Sequence, residues 1–182
     1  MDEISDQALL DQFRVENTRH YAFNLITRKY QQRIYYHIRR MVIDHEDAND
    51  VTQNTFIKVW KGLDNFREDS QLFTWLYRIA TNESLTFLRQ KRTKYFIPFG
   101  DVEKELSNSL TADVNFNADK LEMKLQKAIL LLPEKQRLVF NLRYYDEMKY
   151  EDMSKVLGVT TGALKASYHH AVKKIEKYIT SD

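Results

Sequence analysis

Residues 47–63 read DANDVTQNTFIKVWKGL, and this stretch decides the fold because its apolar positions recur with helical spacing. One side of the predicted helix is suited to packing in a core; its members are Ala48, Val51, Thr55, Val59 and Leu63. The opposite side, which we expect to project away from the core, carries Asp50, Gln53, Asn54, Ile57 and Trp60. A large aromatic beside polar groups is typical of a protein interface. The helix is therefore predicted to dock on another protein, unless a neighbouring helix covers Ile57 and Trp60.

Apolar spacing along the whole chain predicts an all-α fold. The predicted helices lie near residues 5–15, 19–43, 47–63, 72–91, 119–131, 134–145, 150–157 and 161–179. Between 93 and 118 the periodicity disappears, and Pro98, Gly100 and several acids indicate a flexible acidic linker. We therefore predict two small helical domains, residues 1–93 and 119–182, joined by a linker over 94–118.

Composition excludes several classes of protein. Hydrophobic residues make up 43% of the chain, with four glycines and two prolines, which favours packed helices over turn-rich sheets. The absence of cysteine excludes disulfides, thiolate-zinc sites and thiol redox sensing within the chain. The longest apolar run, 128–132, is too short to span a bilayer. We expect a cytoplasmic protein with no direct membrane insertion.

Charge alternates along the chain although the net charge is only +2. Residues 28–40 carry five basic groups and no acids, residues 44–69 seven acids against three bases, and residues 78–94 five bases against one acid. Solvated helix faces are the simplest explanation of any one block. Repeated alternation over whole elements favours a chain that meets both DNA and a basic protein surface.

The predicted helix over 72–91 has a composition that suits unpaired DNA. A stripe separate from its apolar face carries Trp75, Arg78, Asn82, Thr86 and Arg89. Aromatic rings stack on unpaired bases and arginines neutralise phosphates. The polar loop at 64–71 precedes this helix and could hold a base swung out of the stack, although its composition alone does not indicate this role. The alternative is that Trp75 is a core residue at the edge of the stripe.

Residues 150–175 have a helix-turn-helix pattern. Gly158 can supply a left-handed residue at the end of the first helix, and Thr160 is a suitable N-cap for the second. The outward side of the second helix carries Gly162, Ala166, His169, His170 and Lys173, with Lys165 at its flank. This layout is typical of a recognition helix in the major groove. His169 and His170 point in different directions and lack acidic or cysteine companions, so we expect no metal site.

Together these segments resemble the extracytoplasmic-function (ECF) sigma factors of the sigma-70 family. Residues 47–56 (DANDVTQNTF) and 73–82 (FTWLYRIATN) are similar to the second conserved region of that family. Residues 132–137 (LPEKQR), 150–153 (YEDM) and 162–165 (GALK) are similar to its fourth region. The resemblance covers nearly all of the chain.

The resemblance implies roles for three sets of residues. The clamp helices of the RNA polymerase largest subunit would bind Asp47, Asp50, Gln53, Asn54, Phe56, Ile57 and Trp60. The minus-ten promoter element would contact Asn65, Phe66, Arg67, Ser70, Trp75, Arg78, Asn82, Arg89 and Arg92. The minus-thirty-five element would contact Thr161, Gly162, Lys165, Ala166, His169, His170 and Lys173. The resemblance also implies that the chain contacts the polymerase flap and that its linker threads the polymerase RNA channel. It further implies an anti-sigma factor as the inhibitor.

The leading hypothesis is therefore a promoter-specificity subunit without chemistry of its own, which needs no cofactor, metal or small-molecule substrate. A stand-alone helix-turn-helix repressor or activator is the alternative, but it leaves the outward face around Asp50, Gln53 and Trp60 unexplained. An enzyme acting on nucleic acid is disfavoured because no P-loop, metal-ligand set or catalytic triad spacing is found. We also expect the two domains to close on each other, or on an inhibitory protein, when the factor is inactive.

Overall fold

A computed structural model describes residues 4–94 and 120–181, and within those ranges the protein is helical with no strand. Its helices are α1 (Asp6–Arg14), α2 (Arg19–Val42), α3 (His45–Gly62), α4 (Leu72–Lys94), α5 (Lys120–Leu130), α6 (Glu134–Tyr144), α7 (Tyr150–Leu157) and α8 (Thr161–Thr180). Short 3-10 turns occupy Glu16–Thr18 and Leu63–Asn65. The predicted all-α fold is confirmed. Apart from Lys94, which ends α4, the predicted linker lies outside the described residues.

Local sequence explains where several helices begin and end. The side chains of Ser5, Asp44 and Thr160 accept hydrogen bonds from backbone amides three residues on, as N-caps do. Gly158 ends α7 in the left-handed conformation with φ of 67°, as predicted. Lys149 stands at the N-cap of α7 and makes no side-chain cap bond, so this short helix depends on tertiary packing.

The first four helices form one bundle around α2, whose buried residues face α1, α3 and α4. Ile26, Ile34 and Ile38 of α2 are fully buried, as are Val59 of α3 and Leu76 of α4. The predicted inward stripe of α3, from Ala48 to Leu63, is buried throughout, which confirms its orientation. This packing holds the other side of α3 and the start of α4 at the surface, where the candidate interfaces lie.

The last four helices form a second unit around a separate apolar cluster. Its buried members include Ile129, Leu132, Phe140, Ala171 and Ile175, contributed by α5, α6 and α8 and the turn between α5 and α6. Leu164, at the start of α8, joins Met153 and Val156 of α7 on the other side of the unit. This arrangement fixes α8 with one side inward and the other exposed.

The two units pack on each other. α7 lies against α4, and α6 lies against α2. Met41 and Leu88 of the first unit belong to the same buried cluster as Leu138 and Leu142 of the second. Residues on both sides of the predicted domain boundary therefore share a core. The boundaries themselves stay a prediction.

None of the helices in the described residues has the length and hydrophobicity that a membrane span requires.

Candidate functional site

The exposed side of α3 borders an apolar groove against α2. We call this the docking groove; it is lined by Phe23, Thr27, Gln31, Asn49, Thr52, Gln53, Phe56, Ile57 and Trp60 and has a volume of about 490 Å³. Gln53 and Ile57 are exposed, as predicted, and Ile57 retains 46% of its accessible surface. Asp50 and Asn54 are exposed beside them. An apolar patch rimmed by amides and a carboxylate has the composition of a protein-binding surface.

The expectation that Trp60 projects away from the core is wrong. Its indole is half-buried and packs edge-on against Phe13 at 5.4 Å and Phe23 at 5.0 Å between ring centroids, while His20 stacks on it at 4.9 Å. The alternative that a neighbouring helix covers this position is therefore correct for Trp60 and incorrect for Ile57. Trp60 forms one wall of the docking groove while supporting the fold.

Two further residues that were expected to contact polymerase make contacts within the chain instead of lying free at the surface. Asp47 accepts an ion-paired hydrogen bond of 2.8 Å from Nζ of Lys91 on α4. Phe56 is 9% exposed and lies in the floor of the docking groove. The outward surface consequently centres on Asp50, Gln53 and Ile57, and direct polymerase contacts by Asp47 and Phe56 stay predictions.

A second cavity, of about 440 Å³, lies where the loop after α3 meets α4. We call it the base pocket; it is lined by Asn65, Phe66, Arg67, Asp69, Ser70, Thr74, Trp75, Arg78 and Lys155. Six of these residues were predicted to contact the minus-ten element. The rings of Phe66 and Trp75 are 5.0 Å apart and form an aromatic wall. Aromatic and hydrogen-bonding groups in one concave site suit an unpaired base.

Trp75 is partly a core residue and also lines the base pocket, and its contact with DNA stays a prediction. It is half-buried, and its ring lies so close to Gly62 that a Cβ there would stand 3.2 Å from the indole. The indole also lines the base pocket. The absence of a side chain at Gly62 thus lets the indole lie against the end of α3, a packing relation that residue spacing does not reveal.

The remaining residues predicted to contact the minus-ten element lie outside the base pocket. Asn82 lines a separate shallow groove with Trp75 and Lys58, and Arg89 is exposed further along α4. Arg92 lies 3.5 Å from Glu134 of the second unit in an ion pair. The structure therefore brings together the loop residues and the start of α4, but it does not place Asn82 in the same cavity.

The sequence analysis missed two residues that line the base pocket, Thr74 and Lys155, and it included Asp69 only as part of the polar loop at 64–71. Thr74 follows the helical spacing of a core residue and is 1% exposed. Lys155 belongs to α7, so nothing in the spacing of residues 64–82 could have found it.

The side of α8 that was predicted to face outward is exposed. Gly162, Lys165, Ala166, His169, His170 and Lys173 are exposed, and Thr161 is partly exposed. Leu164, Ala171 and Ile175 face inward and are buried. The rings of His169 and His170 are 5.9 Å apart at an angle of 62°, so they diverge. The exposed side therefore carries two lysines among small and polar groups, a surface that fits a DNA groove.

Comparisons with known proteins agree with this geometry. The Sigma-70 region 2 family matches residues 26–94, and the Sigma-70 region 4 family matches residues 122–175. RNA polymerase sigma-H factor of Pseudomonas aeruginosa is 33% identical over 94% of this chain and 92% of its own length. ECF RNA polymerase sigma factor SigW of Bacillus subtilis is 30% identical over 87% of this chain and 89% of its own length.

A solved structure shares the fold. The sigma factor RpoE of Bartonella quintana, solved in complex with the anti-sigma factor NepR, superposes with a TM-score of 0.68. The match covers 88% of this chain and 98% of that one, at 20% identity.

Proposed function

Since the chain belongs to the ECF sigma factors of the sigma-70 family and is a transcription initiation factor, we propose that its docking groove binds core RNA polymerase and its two DNA surfaces select the promoter. The observation that carries the proposal is that one chain presents three distinct surfaces. They are an apolar groove rimmed by amides, an aromatic pocket and an exposed recognition helix.

The docking groove is proposed to bind the clamp helices of the polymerase largest subunit. Asp50, Gln53 and Ile57 project from α3, and Trp60 walls the groove. Amphipathic helices commonly bind by placing apolar anchors in such a groove, with polar groups fixing their register. Asp50 adds negative charge to the rim, which suits a basic partner surface.

The base pocket is proposed to hold a base flipped from the minus-ten element, and α8 to read the minus-thirty-five element. Phe66 and Trp75 offer a stacking surface, and Arg67 and Arg78 offer charges for the adjoining phosphates. On α8, the early residues Gly162 and Ala166 are small enough to let the helix approach base edges closely, with Lys165 and Lys173 near phosphates.

An anti-sigma factor is proposed as the inhibitory partner. The structural relative from Bartonella quintana was solved with one, and this chain matches that sigma factor over nearly its full length. The exposed apolar side chain of Ile57 supports the same idea, because apolar surface on an inactive protein is usually covered.

Binding to core polymerase by the intact chain and by variants tests the proposal. Gln53→Arg places a bulky cation in the docking groove and is expected to reduce the affinity at least tenfold. Gln90→Arg makes the same chemical change at an exposed position on α4 outside the groove and is expected to bind as the unaltered chain does. Equal affinities for the two variants, or no binding by the unaltered chain, would refute polymerase docking at this groove.

A further inference from the structure

The loop that forms one side of the base pocket is attached to the corner between α1 and α2. Arg14 is the last residue of α1, and its guanidinium donates a hydrogen bond to the carboxylate of Glu68 in the loop. Arg19 is the first residue of α2, and its guanidinium donates one to Asp64 at the start of the loop. Both contacts are ion pairs. The loop is therefore held from outside the base pocket at two points.

Attached residues alternate with pocket residues along this loop. Asp64 and Glu68 are held by the two arginines, and Phe66 between them is buried in the core of the first unit, with its ring also forming part of the pocket wall. The intervening residues Asn65 and Arg67 line the base pocket. Because each of them is flanked on both sides by an attached residue, the attachments decide where Asn65 and Arg67 can point.

Glu68 has a backbone conformation that depends on its surroundings. Its φ of 59° lies in the left-handed region, which residues with a Cβ adopt only at a steric cost. Residues 66–68 lie outside the helices, so a helical hydrogen-bond ladder does not impose this conformation. The ion pair with Arg14 holds the side chain of Glu68 in place while its backbone is left-handed. Without that pair, the loop is expected to relax and to move its neighbour Arg67.

The corner between α1 and α2 is well anchored, as a support for the loop must be. Phe13 is 1% exposed, and the guanidinium of Arg19 lies over its ring, 4.5 Å from the centroid. The hydroxyl of Thr18 donates a hydrogen bond of 2.7 Å to the backbone carbonyl of Gln12, across the turn that joins the two helices. The corner is thus fixed to the core of the first unit, and the arginines present their charges to the loop from a defined position.

From these contacts we infer that Arg14 and Arg19 are positioning residues for base selection. Each arginine holds an acidic loop residue, so that Asn65 and Arg67 face an unpaired base in the geometry that its recognition requires. Recognition sites need such supporting contacts, because a small misplacement of a contacting side chain weakens its hydrogen bonds to the ligand. The inference rests on the proposed function of the base pocket. It makes the choice of base depend on a corner of the fold that lies outside the pocket.

The pair of Arg14 and Glu68 is the better one to test. Arg19 also lies 5.8 Å from the ring centroid of Trp60, so a change there would disturb the docking groove as well. The side chain of Arg14 is 53% exposed and that of Glu68 32%, and an ion pair this exposed contributes little to folding stability. Breaking it should therefore leave unfolding and polymerase binding unchanged while it reduces the selectivity for one base. A purely structural role would not separate these readings.

The experiment measures base selection by the holoenzyme, the full chain bound to core RNA polymerase. A labelled pool of random single-stranded deoxyoligonucleotides is the probe, and sequencing of the bound fraction gives the enrichment of each base. Arg14→Glu and Glu68→Arg each replace the ion pair by two like charges. The double variant restores the pair with its charges exchanged, and Arg14→Lys keeps it in the original sense. Thermal unfolding and polymerase titration are measured on the same preparations.

Each single reversal is expected to lower the enrichment of the preferred base about fivefold, the upper effect of one exposed ion pair. Because Arg14→Glu makes the chain more acidic and Glu68→Arg makes it more basic, a loss in both cannot come from the overall attraction to DNA. The double variant and Arg14→Lys should recover most of the enrichment. Arg28→Glu is the matched control, since it makes the same change at an exposed position of α2 outside the base pocket and should leave the enrichment unchanged.

Three results would overturn the inference: unchanged enrichment in both single reversals, no recovery in the double variant, or a loss of enrichment that only accompanies a loss of folding stability. If the unaltered holoenzyme enriches no base, the proposed function of the base pocket fails and the inference fails with it. Enrichment by the unaltered holoenzyme that both reversals retain refutes the inference alone. The two failures are therefore distinguishable.

Discussion

The indole of Trp60 and the phenyl ring of Phe13 meet edge to face, with centroids 5.4 Å apart. The contact joins the end of α3 to α1, so a residue on the docking groove also holds two helices of the first unit together. A single substitution at this position is therefore expected to disturb both the packing and the proposed partner binding.

Replacing Trp60 with alanine is expected to weaken core polymerase binding and to lower the free energy of unfolding by about 2–3 kcal/mol, less than for a fully buried tryptophan. Ile57→Ala is the control, because Ile57 is exposed in the same groove. It should weaken binding while changing stability by less than about 0.5 kcal/mol. Urea unfolding and polymerase titration on the same preparations separate the two effects, and an unchanged stability in the Trp60 variant would contradict the packing role.

Acid should weaken the contact between the units through Asp146. Burial alone raises the pKa of this carboxyl, but its interactions with His37 and Arg40 outweigh burial and hold the pKa below its usual value. A depressed native pKa contributes stability above the usual value near 4, and that stability is lost as pH falls through the native pKa.

The difference in unfolding free energy between the unaltered chain and Asp146→Asn should therefore be about 1–3 kcal/mol at neutral pH and shrink below about pH 4. Denaturant unfolding across pH 2.5–7 measures it, a range chosen around the reference pKa of aspartate, about 3.9. Parallel pH profiles for the two proteins would show that the partners of Asp146 do not stabilise its ionised form.

Alkali should act on the same contact through Tyr77. Burial, followed by the charge of Asp146, raises the pKa of the Tyr77 hydroxyl. A raised native pKa gives stability that is complete below the usual value of about 10 and is lost as pH rises above it. Tyr77→Phe removes the titrating group and is expected to flatten this alkaline loss. An equally steep loss in Tyr77→Phe would assign it to other groups.

Gly158 and Gly162 provide a matched pair of substitutions. An added Cβ meets nothing within 4 Å at either position, but Gly158 has φ of +67°. Gly158→Ala should therefore cost about 1–2 kcal/mol from backbone strain alone. Gly162→Ala, within the first turn of α8, should be neutral or raise stability by up to about 1 kcal/mol. Thermal unfolding compares them, and equal effects would argue against a left-handed requirement at the helix turn.

Much of the fold follows from the sequence because it depends on local periodicity. The α3 stripe, the left-handed Gly158 and the Thr160 cap are each set by neighbours within a few residues, and all are confirmed. The ring contacts of Trp60 were not predictable in this way. They depend on how α1 and α2 cross the end of α3, and helical spacing carries no information about that crossing.

The contact between the two units could not be predicted from local sequence patterns. Asp146 and Arg40 are separated by 106 positions, and each alone resembles an ordinary surface charge. His37 offered a signal, since it falls on the same stripe as Ile34, Ile38 and Met41. A histidine on an apolar stripe indicates a buried polar partner, but only the three-dimensional arrangement identifies that partner as Asp146.

Selection of promoter DNA from a random duplex pool, with and without core RNA polymerase, tests the central claim most directly. With polymerase, the chain is expected to enrich two sequence blocks at fixed spacing, and Gln53→Arg should lose both. The chain alone should enrich neither at physiological salt. Enrichment of the same two blocks by the chain alone, or no enrichment with polymerase, would contradict the claim that this protein selects promoters as a subunit of the polymerase.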